Sequence, residues 1–402
     1  MTRTILDVHV LQTVPPSNLN RDDTGAPKTA VYGGVRRARV SSQAWKRATR
    51  NAFPALLDPS ELGVRTKKVA EALAERIVLL DESLKQSEAL ALAAETMRAA
   101  TGSKIEIPKR KSKDSETAED ELAPESSYLM FLSARQLEGL ARLTVEGAKG
   151  TGDLKVLKDH LKTKEAKALA RQYVDTRHSV DIALFGRMVA DSTDLNVDAA
   201  TQVAHAISVH AVDNESDYYT AVDDRNTESQ AGAGMIGVVD FNSATLYRYA
   251  ALDVDHLQRN LGEGLQENES AAQPTRRAVE AFLEGFITSL PTGKINTFGH
   301  NTLPDAVIVK LRTKRPISFV GAFEEPVITG DTGGFLQPAC EKLARYVPEI
   351  ESAYGAEDRS STWVLRFGDD TRPLAALGTE KNLPGLVEAV GSVVADRLES
   401  GA

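Results

Sequence analysis

The 402-residue sequence predicts an antiparallel α+β fold. Alternating, β-branched runs and amphipathic helical runs fall in clumps rather than in a repeated strand–helix–strand rhythm. No internal repeat points to a solenoid or propeller. The composition, 42% hydrophobic and 26% charged, is that of an ordinary folded chain. At this length, two lobes or one domain with large insertions are expected.

The elements follow in order. Thr4 to Thr13 alternates, with Leu6, Val8 and Val10 on one face, and reads as a core strand. Residues 15–34 hold Pro, Asn, Asp and Gly33-Gly34 and read as an ordered loop. A helix follows Ser41-Ser42. Residues 62–100 keep helical spacing through Val69, Leu73, Ile77 and Leu80. Residues 104–122, dense in Lys, Arg, Asp and Glu, read as a mobile surface segment. Helices return over 133–173.

Residues 179–186 alternate Val180, Ile182 and Leu184 with Asp181, Ala183 and Phe185, which predicts a strand. Asn196 reads as the cap of a helix from Val197 to Ile207. Residues 213–234 form a long polar stretch, functional or disordered by its length, ahead of a strand-like run through Ala250. The last third predicts a helix over 276–289, strands over 306–311 and 317–323, and a helix over 337–346. A strand over 363–367 and a closing helix over 383–398 complete it.

Charge is segregated. The chain carries net charge −9, yet residues 1–50 hold nine Lys or Arg against three acids, a net of +6, leaving −15 for the rest. In a helix after Ser41-Ser42, residues Gln43, Lys46, Arg47 and Arg50 share one polar stripe, with Ala44, Trp45, Ala48 and Ala52 opposite. Cations, an amide, hydroxyls and free backbone N–H groups at a helix start suit phosphates, as in an RNA or nucleotide groove. The bland alternative is a solvated basic helix paired with acidic surface elsewhere.

Other chemistry is thin. Cys340 is the only cysteine, which excludes a disulfide within the chain and a cysteine zinc site. The seven histidines form no His-Glu-x-x-His motif, and His205 and His210, five apart, do not share a helical face. Gly232-Ala-Gly234-Met-Ile-Gly237 follows a polar loop and precedes a strand, the wrong order for dinucleotide binding. No Gly-x-Ser-x-Gly elbow or phosphate-binding Walker loop is present. Asp22-Asp23 and Asp223-Asp224 are placed as turn and cap residues, with acid or Mg²⁺ chemistry the alternative. Without an apolar signal region or a run of about 20 apolar residues, a cytoplasmic protein is expected.

Several short motifs occur in a fixed order: Leu19-Asn-Arg-Asp-Asp23, Gly33-Gly34, Arg39-Val-Ser-Ser-Gln43 with Lys46-Arg47, Ala183-Leu-Phe-Gly-Arg-Met188, Gln202-Val-Ala-His205 and Tyr219-Thr-Ala-Val-Asp-Asp224. Together they resemble the CasC family, the backbone subunit of the type I-E CRISPR surveillance complex Cascade. The resemblance is looser over the last hundred residues, beyond Pro291-Thr-Gly-Lys294 and Asn296.

The resemblance implies an RRM-like (ferredoxin-like) antiparallel palm over 1–60, 176–212 and 238–402, with helical fingers over 61–175 and a long thumb hairpin over 213–237. It implies a non-catalytic, cofactor-free subunit whose copies stack head to tail along a guide RNA (crRNA), which pairs with target DNA. The further partners implied are the guide 5′-end cap subunit, the guide-processing endoribonuclease, the small subunit and the large PAM-reading subunit. Carried over by motif, the RNA-binding residues are Asn20, Arg21, Lys28, Arg39, Ser41, Ser42, Gln43, Lys46, Arg47 and Arg50. Met188, Tyr219 and Thr220 match positions near a displaced base. The thumb stretch holds six acids and one base, Arg225, and is expected to act as a steric wedge rather than a phosphate binder. Two alternatives are an RNA-cleaving backbone subunit using Asp22 or Asp23, and a metabolic enzyme holding one phosphate of a small ligand.

Overall fold

The computed structural model describes residues 3–108, 123–189, 195–221, 235–262, 269–270, 272–329, 333–355 and 361–400. Two compact units emerge: one from residues 1–53, 201–255 and 279–402, the other from 54–200 and 256–278.

The first unit is built on a mostly antiparallel sheet, consistent with an RRM-like fold. Its strands are β1 (Ile5–Ser17), β2 (Thr29–Tyr32), β3 (Val35–Val40), β8 (Thr201–Val203), β9 (Ala206–Ser208), β10 (Glu215–Ala221), β11 (Met235–Asp253), β12 (Ala306–Arg312), β13 (Thr362–Arg366) and β14 (Thr379–Glu380). The order is β14-β13-β12-β1-β11-β9-β3-β2, with β8 and β10 also paired to β11. Only β13–β14 is parallel among the paired strands described. Central β1 pairs with β11 (Val8 opposite Ala250) and with β12 (Val8 opposite Val309), so both its edges are satisfied. Its helices include α1 (Ser42–Ala52), α10 (Ile295–Phe298), α11 (Leu336–Ala353) and α12 (Leu383–Ser400). Leu11, Tyr247, Ile308, Phe319, Cys340 and Leu343 share one buried cluster. Burial pushes the Cys340 thiol up to about 12, as suits a core residue.

A charged network lies inside this unit. Asp7 accepts from the Arg312 guanidinium, from Tyr249 Oη (2.9 Å) and from Ile317 N (3.0 Å). Glu351 accepts from Lys310 Nζ (3.0 Å) and Arg312 Nη2 (2.9 Å). Two carboxylates thus meet two cations, the pairing that buried charge requires.

The second unit is mainly helical. It holds α2 (Val69–Leu80), α3 (Gln86–Thr101), α4 (Ala134–Gly147), α5 (Leu154–Leu161), α6 (Lys164–Asp175) and α7 (Val180–Phe185). Two short pairs accompany them: β4 (Gly63–Thr66) with β7 (Met130–Ser133), and β5 (Ile105–Glu106) with β6 (Glu125–Ser126). Leu73, Ile77, Leu92, Met97 and Leu140 form its core, whereas Leu80 is 42% exposed and ends the predicted stripe one turn early. Helices α8 (Val254–Leu261) and α9 (Ala272–Thr288) each have residues in both units.

Four sequence expectations are corrected. Residues 15–34 are not all loop: β1 runs to Ser17, and Thr29–Tyr32 pairs with β3 across Gly33-Gly34. Both glycines have positive φ (60° and 78°), as a tight hairpin turn demands. Residues 180–185 form helix α7, not a strand. Val180 to Leu184 are all buried, so the alternation carried no directional signal, and Asp181 Oδ1 binds Ser179 Oγ and Ile182 N at its start. Residues 197–207 form no helix. Asn196 Oδ1 instead accepts from Val189 N (2.6 Å), while β8 and β9 complete the sheet beside β11. Residues 317–323 are not a strand: Val320–Phe323 is a 3₁₀ turn, and Ile317 N is committed to Asp7. Most of the charged segment expected over 104–122 lies outside the described residues, as do Asp223, Asp224, Arg225 and Glu228 of the thumb stretch.

Candidate nucleic-acid interface

Helix α1 is fixed at both its start and its inner face. Ser41 is extended, and its Oγ accepts from Ala44 N (3.4 Å), a helix N-cap. Ser41 N donates to Asn20 Oδ1 (2.9 Å), tying the preceding loop to the helix start. Trp45 is fully buried, with the Arg248 guanidinium 3.8 Å from its ring centroid. Arg248 donates to Gln12 Oε1 (2.7 Å) and to the Phe286 carbonyl, and burial pushes its pKa down to about 9.

The helix face turned outward carries Gln43, Arg47 and Asn51, each exposed. They line an open groove of about 1930 Å³ together with Asn20, Arg21, Asp22 and Asp23 of the loop, Ser41, and the segment 289–293. The outward stripe is rotated from the predicted one. Trp45 and Thr49, with Phe53 just beyond the helix, point inward at spacings of four, and so place 43, 47 and 51 outward. Ala44, Ala48 and Ala52, expected on the core face, line the groove instead. Lys46 and Arg50 are half-buried and outside the groove lining, and burial lowers the Lys46 pKa. Ser42 is half-buried, its Oγ 3.5 Å from Gln43 Oε1.

Asn20 and Leu19 also line a small adjoining pocket, whose walls include Lys28, Arg39, Val40 and Leu246. Seven predicted residues are therefore brought together: Asn20, Arg21, Lys28, Arg39, Ser41, Gln43 and Arg47. Not every cation of the basic segment is available. Arg37 is wholly buried and donates to the carbonyls of Tyr32, Ser208, Phe323 and Glu324. It is a structural bolt. Asp22 serves its own loop: Oδ1 accepts from Thr24 N (2.9 Å), Thr24 Oγ1 (2.7 Å) and Ala26 N (3.1 Å), which holds its carboxyl below the usual range. Among the described residues, no group of three or more His, Cys, Asp or Glu is placed to hold a metal ion.

The other three predicted residues are not among those lining the groove. Met188 belongs to the second unit and is 86% exposed. Its neighbour Arg187 is buried and donates to the carbonyls of Leu195, Phe131 and Val174, so the chain alternation turns Met188 outward. Tyr219 and Thr220 sit on β10, which pairs with β11 from Glu215 opposite Phe241 to Ala221 opposite Met235. Tyr219 is opposite Gly237, and its ring lies where a Cβ at 237 would be 2.4 Å away. On the other face, Tyr218, Ile236 and Val238 are exposed.

Sequence reasoning missed Asn51 and the 289–293 wall. Asn51 was legible as the third member of a four-residue spacing from Gln43. Of the wall, Pro291, Thr292 and Gly293 stood out in a motif, but their place beside α1 was not legible, because more than 200 residues separate the two.

Fold and groove define a class: an α+β protein whose antiparallel sheet carries a helix-lined groove edged by arginines. More particularly, the chain belongs to the CT1975-like protein family, whose model matches residues 6–389. It is similar to a chain of a solved structure described as a CRISPR RNA-guided surveillance complex, pre-nicking. That match has 33% identity and a TM-score of 0.77, covering 97% of this chain and 100% of the other. A second structure, described as a CRISPR RNA-guided surveillance complex, matches at 30% identity and a TM-score of 0.68, covering 97% and 99%. No curated protein matches. Among the described residues, no helix is long and apolar enough to cross a membrane.

Proposed function

We propose that the chain is a non-catalytic guide-RNA-binding backbone subunit of a Cascade-type CRISPR complex, of the CasC type, working in the cytoplasm. Copies stack along the guide RNA and present it for pairing with target DNA, alongside the other Cascade subunits. One observation carries this reading: Asn20, Arg21, Ser41, Gln43 and Arg47, matched by motif, share one open groove. Such a set contacts phosphate and ribose without reading bases, which a guide of any sequence requires. Met188 in the second unit and Tyr219 in the first are each exposed, and each is of a kind, soft or aromatic, that packs against an unstacked base.

The test is co-expression of the chain with a guide RNA, followed by light scattering and RNA extraction. A large particle holding RNA of uniform length is expected, lost in Arg21→Ala/Arg47→Ala. A monomer indifferent to RNA, even with partner subunits present, overturns the reading.

A second reading is favoured by one observation: Asp22 and Asp23 both line the groove. RNA cleavage by a loop carboxylate would fall to Asp23, since Asp22 is occupied by Thr24 and Ala26. Cleavage of bound RNA with Mg²⁺, abolished in Asp23→Asn, would establish it; intact RNA would dismiss it.

A further inference from the structure

Three basic residues, Lys28, Arg39 and His205, are brought side by side at the sheet edge in the first unit. Arg39 N donates to Lys28 O (2.9 Å), and the register Thr29 opposite Ala38 sets Lys28 beside Arg39. On its other side β3 pairs with β9, Arg39 opposite Ile207, so His205, two residues before Ile207, is the diagonal neighbour of Arg39. The contact is made: Arg39 Nη1 lies 3.2 Å from His205 Nδ1, while Arg39 Nε donates to Thr29 O (3.2 Å). His205 is exposed, at the turn between β8 and β9.

A guanidinium can only donate, so Nδ1 accepts and the neutral ring carries its hydrogen on Nε2. Desolvation lowers the pKa of His205, and the charged groups acting on it, Arg39 from β3 and Lys28 from the loop before β2, lower it further. From β11, Tyr249 meets this turn through its carbonyl, accepting from Ala204 N (2.9 Å). Like charges side by side on a sheet are unfavourable unless an anion joins them.

We propose that His205 completes a phosphate-binding cluster with Lys28 and Arg39, and that it takes a proton from solvent as the phosphate arrives. This rests on the RNA-binding reading. In the free protein the contact with Arg39 requires an unprotonated Nδ1, and so favours the neutral ring. A bound phosphate draws Arg39 to itself, frees Nδ1 and reverses the local field, so imidazolium becomes the favoured form. RNA binding therefore tightens as pH falls through the histidine range.

The experiment is a salt titration of RNA affinity at about pH 8 and about pH 5.5, in the full-length chain and in His205→Gln, with His205→Asn as the alternative polar variant. The expected result is a log–log salt slope steeper by about 0.7 at the lower pH in the native chain, and no such change in the variants. An equal change in native chain and variants, or none in either, overturns the proposal while leaving RNA binding intact. Failure to bind RNA at either pH overturns the RNA-binding reading itself, and this cluster with it.

Discussion

Helix α1 and the β10–β11 hairpin both present side chains outward from the first unit, but they are held in opposite ways. Helix α1 is anchored by a fully buried Trp45 against Arg248 and by Asn20 at its N-cap, so its exposed Gln43, Arg47 and Asn51 are carried on a rigid support. The hairpin is a two-stranded ribbon whose Tyr218, Ile236 and Val238 stand exposed. The first region spends its apolar residues on anchoring and shows charge. The second shows apolar and aromatic surface, which an isolated ribbon gains little from unless something covers it. On the proposed RNA-binding reading, positions that fix phosphates would belong to the rigid region, and positions that meet unstacked bases or another protein surface to the ribbon.

The largest effect that tests this contrast is expected at Trp45. Trp45→Ala removes the anchor of α1 and should cost about 3–5 kcal/mol in urea unfolding. A loss under about 1 kcal/mol would show that the helix does not depend on this contact. Next is the turn that sets β3. Gly33→Ala forces a Cβ to 1.7 Å from Glu324 O at φ +60°, and should cost about 2 kcal/mol or more. Gly34→Ala, at φ +78° with nothing within 4 Å, should cost about 1 kcal/mol by thermal denaturation.

Arginines sharpen the comparison further. Arg47→Ala should leave stability within about 0.5 kcal/mol and flatten the salt dependence of RNA binding by about 0.7. Arg37→Ala, which strips four carbonyls of their donor, should instead lower the unfolding free energy by about 3 kcal/mol. Reversed outcomes would exchange their roles. The smallest stability change is expected in the hairpin, where Tyr218→Ser with Val238→Ser should stay within about 0.5 kcal/mol. The same pair should shrink the RNA-bound particle in light scattering. A particle of unchanged size would free that face from any role in assembly.

Much of this was legible along the chain. β1 announced itself because Leu6, Val8 and Val10 alternate, and all three are buried. The N-cap of α1 was visible in Ser41-Ser42, since capping is a local hydrogen bond. The misread segments share one cause. In β8 and β9 the decisive partners are remote strands, and α7, buried from Val180 to Leu184, has no period that reports direction.

By itself, then, the sequence determined the antiparallel α+β class, the position of the basic helix and five of the side chains that meet in the groove, Asn20, Arg21, Ser41, Gln43 and Arg47. These follow from local periodicity, capping and charge, which act over a few residues. Tertiary structure alone decided the rest: that Arg37 is sealed while Arg39 stays open, that Trp45 and Phe53 rotate α1 to show Asn51, and that residues 289–293 close the groove. It also set His205 beside Arg39. The reason is physical: burial and strand pairing depend on residues far apart in sequence, and the pairing of β3 with β9 joins positions that lie more than 160 apart.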